Sequence, residues 1–248
     1  MDFLHLFENE DVRLQIGGAD QWGNITSGLE LIRKEAGADA EAFGLTIPLM
    51  LKSDGTKFGK TAGGAIWLDP EKTSPYEFYQ FWLNQNDADV VKYLKYFTFL
   101  SKEEIDALEE KVASEPEKRE AQRRLAEEMT TFVHGQSGLQ DAQTITEALF
   151  SGNIADLSAK QIEQGFGNMP GSTMPKEGNN LAVWLVDAGI EGSRRQSRED
   201  INNGAIYING QRLQDVDYEI SATDAIEGKY IVVRRGKKKY FLVTIEGA

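Results

Sequence analysis

Between Leu14 and Asn24 the chain reads Leu-Gln-Ile-Gly-Gly-Ala-Asp-Gln-Trp-Gly-Asn, a strand that stops at two glycines and turns into a helix. The apolar run from Val12 to Ile16 suits a buried strand, and Gly17 and Gly18 let the backbone approach a ligand where that strand ends. An acid and an amide follow at once. Asp20 can accept from ribose hydroxyls, Gln21 can donate to a carbonyl or a phosphate, and the residues from Asn24 to Lys34 carry helical spacing. On the glycines alone, a polar tight turn reads equally well.

A second segment, Asp54-Gly55-Thr56-Lys57-Phe58-Gly59-Lys60-Thr61, weighs against the plain turn. Two lysines three apart on a glycine-bearing loop can reach successive phosphates and neutralise the charge that develops as pyrophosphate leaves. Phe58 would anchor such a loop and Gly59 would let it move. An isolated Lys-x-x-Lys is more simply a solvated hairpin, but this one accompanies the glycine turn.

Three stretches, Gln15 to Asn24, Lys57 to Thr61, and Thr73-Ser74-Pro75-Tyr76-Glu77-Phe78-Tyr79-Gln80, resemble the bacterial tyrosyl-tRNA synthetases, a class I aminoacyl-tRNA synthetase family. The similarity runs through the whole chain. Lys57 to Thr61 resembles the family's version of the signature usually written KMSKS, and the tail resembles its appended RNA-binding domain. The resemblance implies an α/β fold: the second half of a Rossmann-type catalytic domain, with the KMSKS-type loop, over residues 1–72. It further implies a helical anticodon-side domain over 73–150, a linker over 151–178, and over 179–248 a small α+β RNA-binding domain like that of a small-subunit ribosomal protein.

The implied reaction has two steps, activation of L-tyrosine by ATP to tyrosyl-adenylate and transfer of the tyrosyl group to tRNA(Tyr). ATP is then a substrate with Mg2+, and no tightly bound cofactor or protein metal site is expected. By motif, Lys57 and Lys60 are the catalytic residues, holding the β and γ phosphates as they depart. Gly18 and Asp20 meet the ribose, Gln21 meets the tyrosyl or α-phosphate region, and Phe58, Gly59 and Thr61 complete the ATP-binding loop. Asp2 resembles the aspartate that accepts the phenol hydrogen of tyrosine, and Gln15 lines the same pocket. A buried polar group left unpaired by phenylalanine is how such a pocket rejects it. The family also implies a homodimer at full length.

In that family a long amino-terminal half supplies the first strands of the nucleotide-binding fold and a HIGH-type signature. Neither His5 nor His134, the two histidines of the chain, stands in a pattern resembling that signature. Met1-Asp2-Phe3-Leu4 resembles the interior of a helix in the family. The expectation is a truncated or mis-started reading frame, or one half of a split protein, which alone neither activates tyrosine nor binds ATP well. Asp2, close to the terminus, would fray out of its recognition geometry.

The chain has no cysteine, which excludes disulfides and thiolate metal sites. It lacks a run of about eighteen apolar residues and a basic-then-apolar leader, so a cytoplasmic setting with no membrane partner is expected. A net charge of −13 argues against a nucleic-acid partner until its distribution is read. Residues 176–248 hold 11 Lys+Arg and 11 Asp+Glu, so the whole deficit lies upstream. Within this tail Arg194, Arg195 and Arg198 form one basic cluster, and Arg234, Arg235, Lys237, Lys238 and Lys239 a second. Either cluster could be a solvated face, but two on one short domain favour RNA, and phosphate tracking rather than base readout argues against duplex DNA.

Thr73-Ser74-Pro75-Tyr76-Glu77 announces a helix by cap, first-turn proline and acid. The aromatics that follow, Tyr76, Phe78, Tyr79, Phe81 and Trp82, are either a stacking surface or, as their helical spacing favours, core. A second capping box starts at Ser101 and leads a charged helical stretch, with a break near Pro116, to about His134, read as a cation at a helix end; another helix covers Gln140 to Phe150. From Gly165 to Gly178 the composition turns to Gly, Pro, Ser and Met, and Pro170, Gly171 and Pro175 predict irregular chain. Beyond it, Ser193 to Gly204 reads as a helix with its arginines on one side, then Ile206 to Gly210 as strand and turn, then a strand pair. A non-catalytic RNA-binding protein is the competing class, and tryptophanyl-tRNA synthetase the competing enzyme; Asp2 and the tail favour tyrosine.

Overall fold

The computed structural model describes residues 2–55, 58, 60–61, 64–237 and 239–247, with backbone alone at 60, 61 and 64. The chain divides into two compact units, residues 1–62 and 63–248.

The first unit runs α1 (Asp2–Glu10), β1 (Leu14–Gly18), a single 3-10 turn (Ala19–Gln21), α2 (Trp22–Ala36), β2 (Phe43–Ile47) and a two-residue β3 (Lys60–Thr61). β1 starts two residues later than the apolar run suggested and takes in both glycines. β1 and β2 pair in parallel, from Leu14 beside Phe43 to Gly18 beside Ile47, with α2 as the crossover that parallel strands require. On one face of the pair the strands lie tight on α2, where a Cβ at Gly44 would come within 2.5 Å of Ile25 Cγ2. Phe3 and Ile32 are buried alongside Ile25, and α1 is held to α2 by Phe3 over Gly28. The opposite face carries Leu14, Ile16, Phe43, Leu45 and Ile47, all between 47% and 60% exposed.

The second unit opens with β4 (Gly64–Ala65) and five helices: α3 (Pro75–Leu83), α4 (Asp87–Phe97), α5 (Lys102–Ser114), α6 (Glu120–Ser151) and α7 (Ala159–Phe166). Reciprocal capping boxes start α3 at Ser74 and Glu77 and α5 at Ser101 and Glu104. Phe78, Tyr79 and Trp82 are buried and so belong to the core, while Tyr76 and Phe81 are partly buried. α6 breaks at Gly135, whose φ of 72° and ψ of 177° are open to glycine alone.

The rest of this unit is β5 (Gly171–Met174), β6 (Asn179–Asn180), α8 (Leu181–Asp187), α9 (Arg194–Asn202), β7 (Ile206–Ile208), β8 (Gln211–Leu213), β9 (Glu219–Ile220), β10 (Tyr230–Arg235) and β11 (Lys239–Ile245). A five-stranded sheet has the order β5-β11-β10-β7-β8, parallel only between β5 and β11, and β6 pairs with β9 apart from it. Ile231, Val233, Val243 and Ile245 pack from one face against Leu181, Leu185 and Ile201 of α8 and α9. Tyr230, Val232 and Leu242 pack from the other against Ile145, Ile154, Ile162 and Phe166.

Residues 151–178 are therefore not the linker expected there, nor is 165–178 the irregular chain that composition suggested. They hold a 3-10 turn (Ile154–Asp156), α7 and β5, and they bring Ile154, Leu157, Ile162, Phe166 and Met174 into the core. Pro170 and Gly171 are tolerated because β5 is an edge strand, which needs no second row of donors, and Pro170 only accepts, from Leu242 N at 3.0 Å. His134 does end a helical segment, just before the break at Gly135, but burial pushes its pKa down, against the charge expected there, and its ring packs edge-on to Phe78 at 4.9 Å.

Candidate functional site

In the first unit a cavity of about 630 Å3 opens beside the carboxyl end of β1, where ligands of parallel α/β units bind. Gln15 and Gly17 point to it from the strand face that meets α2. A Cβ at Gly17 would lie 3.0 Å from Gln21 Cβ and 3.2 Å from Ile25 Cδ1, so only glycine leaves the passage between strand and helix open. Asp2, Gln15 and Gln21, the three residues expected at one amino-acid pocket, all line this cavity. Asp2 is the first residue of α1, which Phe3 anchors to α2. Gln15 Oε1 is buried without a hydrogen-bond partner, an acceptor placed to receive an N–H or O–H from a bound molecule.

Gln21 is held on both sides: its Nε2 donates to Asp20 Oδ2 at 3.2 Å and its Oε1 accepts from Asn24 Nδ2 at 2.9 Å. Asn24 and Ser27 also line the cavity, and neither was singled out from the sequence. The signal was available, because Gln21, Asn24, Gly28 and Leu31 follow one another at helical steps of three and four. Gly18 and Asp20 are not among the residues that line the cavity; a Cβ on Gly18 would meet Asp20 Oδ1 at 2.6 Å. Of the loop with the two lysines, Phe58 is half-buried and its N–H donates to Met50 O at 3.3 Å. Lys57 and Gly59 lie outside the described residues, as do the side chains of Lys60 and Thr61.

The second unit carries the basic clusters. Ser193 caps α9 by accepting from Gln196 N at 3.2 Å, and Ser197 and Ile201 face inward. Arg194, Arg195 and Arg198 are thereby turned to solvent, and no ion pair holds them among the described residues. Arg212 closes the other end of α9, donating to Gly204 O at 2.9 Å and Asn203 O at 2.8 Å, a cation placed on helix-end carbonyls. On β10 the guanidinium of Arg234 lies 3.7 Å from the centre of the Tyr207 ring. Lys237 and Lys239 are exposed beyond it, and Lys238 lies outside the described residues.

Arg235 departs from its cluster. Neighbours on a strand point to opposite faces, and Arg235 turns inward: Nε donates to Asp200 Oδ2 at 3.1 Å and Nη1 to Ile190 O at 3.1 Å. It is not available to a phosphate in this arrangement, which leaves Arg194, Arg195, Arg198, Arg234, Lys237 and Lys239 as the outward basic set.

Residues 1–151 match the family described as tRNA synthetases class I (W and Y), and residues 161–243 match the tyrosine–tRNA ligase SYY-like C-terminal domain. Among curated proteins, the tyrosine–tRNA ligase of Ligilactobacillus salivarius is 65% identical over 246 residues, 99% of this chain and 59% of that protein. That of Limosilactobacillus reuteri is 64% identical over the same shares. A solved structure of a C-terminally truncated Coccidioides posadasii mitochondrial tyrosyl-tRNA synthetase is 35% identical, with a TM-score of 0.49 over 58% of this chain and 41% of that one. The chain thus spans about 59% of the length of the curated relatives it matches.

Proposed function

The chain belongs to the class I tRNA synthetases of the tryptophan and tyrosine group, and from that premise we propose that it serves tyrosine–tRNA ligation, the ATP-dependent activation of L-tyrosine followed by transfer to tRNA(Tyr). The observation that carries the proposal is the convergence of Asp2, Gln15 and Gln21 on one cavity, with an unpartnered buried acceptor at Gln15. Ile25 and Leu31 give that cavity apolar wall for an aromatic side chain. The tail match and the relatives favour tyrosine over tryptophan.

In the first step a tyrosine carboxylate oxygen attacks the α phosphorus of ATP, the α–β bridging bond breaks and pyrophosphate departs. In the second, a hydroxyl of the terminal tRNA ribose attacks the mixed anhydride carbonyl, loses its proton and releases AMP. No protein nucleophile is needed; positioning and electrostatics suffice. Gly18 and Asp20 receive the ribose, Gln21 the reacting carboxyl region, and Lys57 and Lys60 the departing phosphates. The proposed Mg2+ arrives on the ATP phosphates, and no step is assigned to it. The outward basic set of the second unit takes tRNA phosphates, and assembly as a cytoplasmic homodimer completes the proposal.

The exposed apolar face of β1 and β2 supports a further condition. Parallel strands are ordinarily covered on both faces, and the relatives are longer than this chain, so we infer that activity needs the portion of the relatives' length that this chain does not span. Tyrosine-dependent ATP–pyrophosphate exchange tests both statements. The 248-residue chain alone is expected to show none, and the same chain joined or mixed with the missing portion of a close relative is expected to show it. Exchange driven by tryptophan instead, or full exchange by the chain alone, overturns the reading.

A further inference from the structure

Glu191 lies in the turn after α8 and is 3% exposed, the most deeply buried carboxylate-bearing side chain of the RNA-binding face. Nothing in tRNA ligation requires a carboxyl there. Arg235 Nε stands 2.8 Å from Glu191 Oε1, yet its single hydrogen is directed to Asp200 Oδ2, so neither oxygen of Glu191 receives a hydrogen bond. A buried carboxylate that touches a shared guanidinium but accepts no hydrogen bond is costly. A protonated carboxyl is not, because it can donate to Asp200, which already accepts from Gln196 Nε2 at 2.8 Å. The three residues come from three places: the turn after α8, α9 itself, and β10.

We propose that Glu191, Asp200 and Arg235 form a proton-holding clamp that fixes α9, with Arg194, Arg195 and Arg198, against the β10–β11 hairpin, so that the grip on RNA loosens when Glu191 loses its proton. With the proton present the set is neutral, Asp200 answering Arg235 and Glu191 closing the ring. Without it two carboxylates face one guanidinium beneath the phosphate-binding arginines, which both strains the clamp and adds a negative charge where RNA must approach. Among the described residues the charged groups facing Glu191 are Asp200 on α9, Arg235 on β10 and Lys239 on β11.

Their balance agrees with the geometry. Burial and the hydrogen bond shared with Asp200 push Glu191 up to about 7 against the opposing pull of Arg235. At Asp200 burial acts upward but is outweighed by the hydrogen bonds from Gln196 and Glu191 and by Arg235, so this partner is the ionised one. A carboxyl raised in the folded state holds its proton, and the stability that goes with it, at low pH, and loses both as pH rises through about 7.

The inference rests on the RNA-binding role proposed for the tail, and the test separates the two. The full chain is titrated with tRNA(Tyr) transcript at fixed ionic strength from about pH 6 to about pH 8. Affinity is expected to fall about threefold across that range, the order for one added charge near a phosphate in a water-like medium, and to stay flat at the low-pH value in Glu191→Gln. A wild-type profile that Glu191→Gln leaves unchanged overturns the clamp alone; no tRNA binding at any pH overturns the RNA-binding role and the clamp's purpose together. Should Glu191→Gln fail to fold, carbon-detected NMR of the wild-type carboxyl decides: a midpoint near 7 supports the clamp, and a midpoint in the ordinary glutamate range overturns it.

Discussion

The parallel pair β1–β2 and the five-stranded sheet solve the same problem to different degrees. In the second unit, successive residues of β10 alternate between two dry faces: Ile231 and Val233 go to α8 and α9, Tyr230 and Val232 to α6 and α7. In the first unit, β1 and β2 have one such face, against α2, while Leu14, Ile16, Phe43, Leu45 and Ile47 stay near half exposed on the other. Burying apolar area is the main favourable term in folding, so the first sheet forgoes a contribution that the second collects twice. The difference shows where the fold is self-sufficient. It also separates the cavity at the end of β1, built on the half-covered sheet, from the basic surface, built on the fully covered one.

The strongest way to break this comparison is to uncover the second sheet. Phe166 is the last residue of α7, fully buried, with its ring 5.6 Å from that of Tyr240 on β11. Phe166→Ala is expected to lower stability by about 3–5 kcal/mol, the range for deleting a large aromatic from a packed core. Chemical denaturation of the full chain checks this. A loss below about 1 kcal/mol would mean that the back of the sheet is covered only loosely and that the two sheets differ less than their burial suggests.

The helix starts were legible because their chemistry is local. A serine cap, a proline or lysine at the first position and a glutamate at the third specify α3 and α5 within five residues, whatever they later pack against. The loop-like reading of Gly165 to Gly178 failed because β5 takes its hydrogen bonds from β11, some seventy residues on, with Ser172 beside Val243. No local pattern reports such a partner. Arg235 is an intermediate case. Its place beside Arg234 on a strand already required one of the two to face inward, but which one depends on Asp200 and Ile190 being there to receive it. At the cavity, Gln21 was legible from the glycine turn and Gln15 only through the family resemblance, whereas Asn24 and Ser27 depended on which face of α2 meets the strands.

A second test sharpens how the covering is held. Asn209 and Gly210, at φ of 48° and 87°, make the tight turn between β7 and β8, and Asn209 reaches back to accept from Val232 N at 2.8 Å. The turn also sits on the end of α6: a Cβ at Gly210 would fall 1.7 Å from Gly152 O, which cannot be accommodated without backbone movement. Gly210→Ala is expected to cost about 2–3 kcal/mol, from the left-handed backbone and from parting the hairpin from α6. Thermal unfolding of the full chain measures it. A neutral result would show that the hairpin can lift away and that α6 covers the sheet without its help.

The smallest effect is the most telling, because it is expected at a residue that looks like core from the sequence. Ile16 stands between the glycine turn and Leu14 in an apolar run, yet its side chain is 60% exposed on the outer face of β1. Ile16→Ser in the 248-residue chain is expected to change stability by no more than about 0.5 kcal/mol, as for a surface substitution. Val232→Ser, a β-branched residue at an interior strand position of the other sheet, is expected to cost several times as much, since Val232 is fully buried and its new hydroxyl would lack a partner. Denaturation of both variants beside the wild type gives the contrast directly. If Ile16→Ser costs as much as Val232→Ser, the outer face of β1 and β2 is covered in solution and the difference between the sheets disappears. If it is neutral alone but lowers exchange activity once the missing portion of a relative is supplied, the bare face is the seat of that portion, and the half-covered sheet is complete only with it.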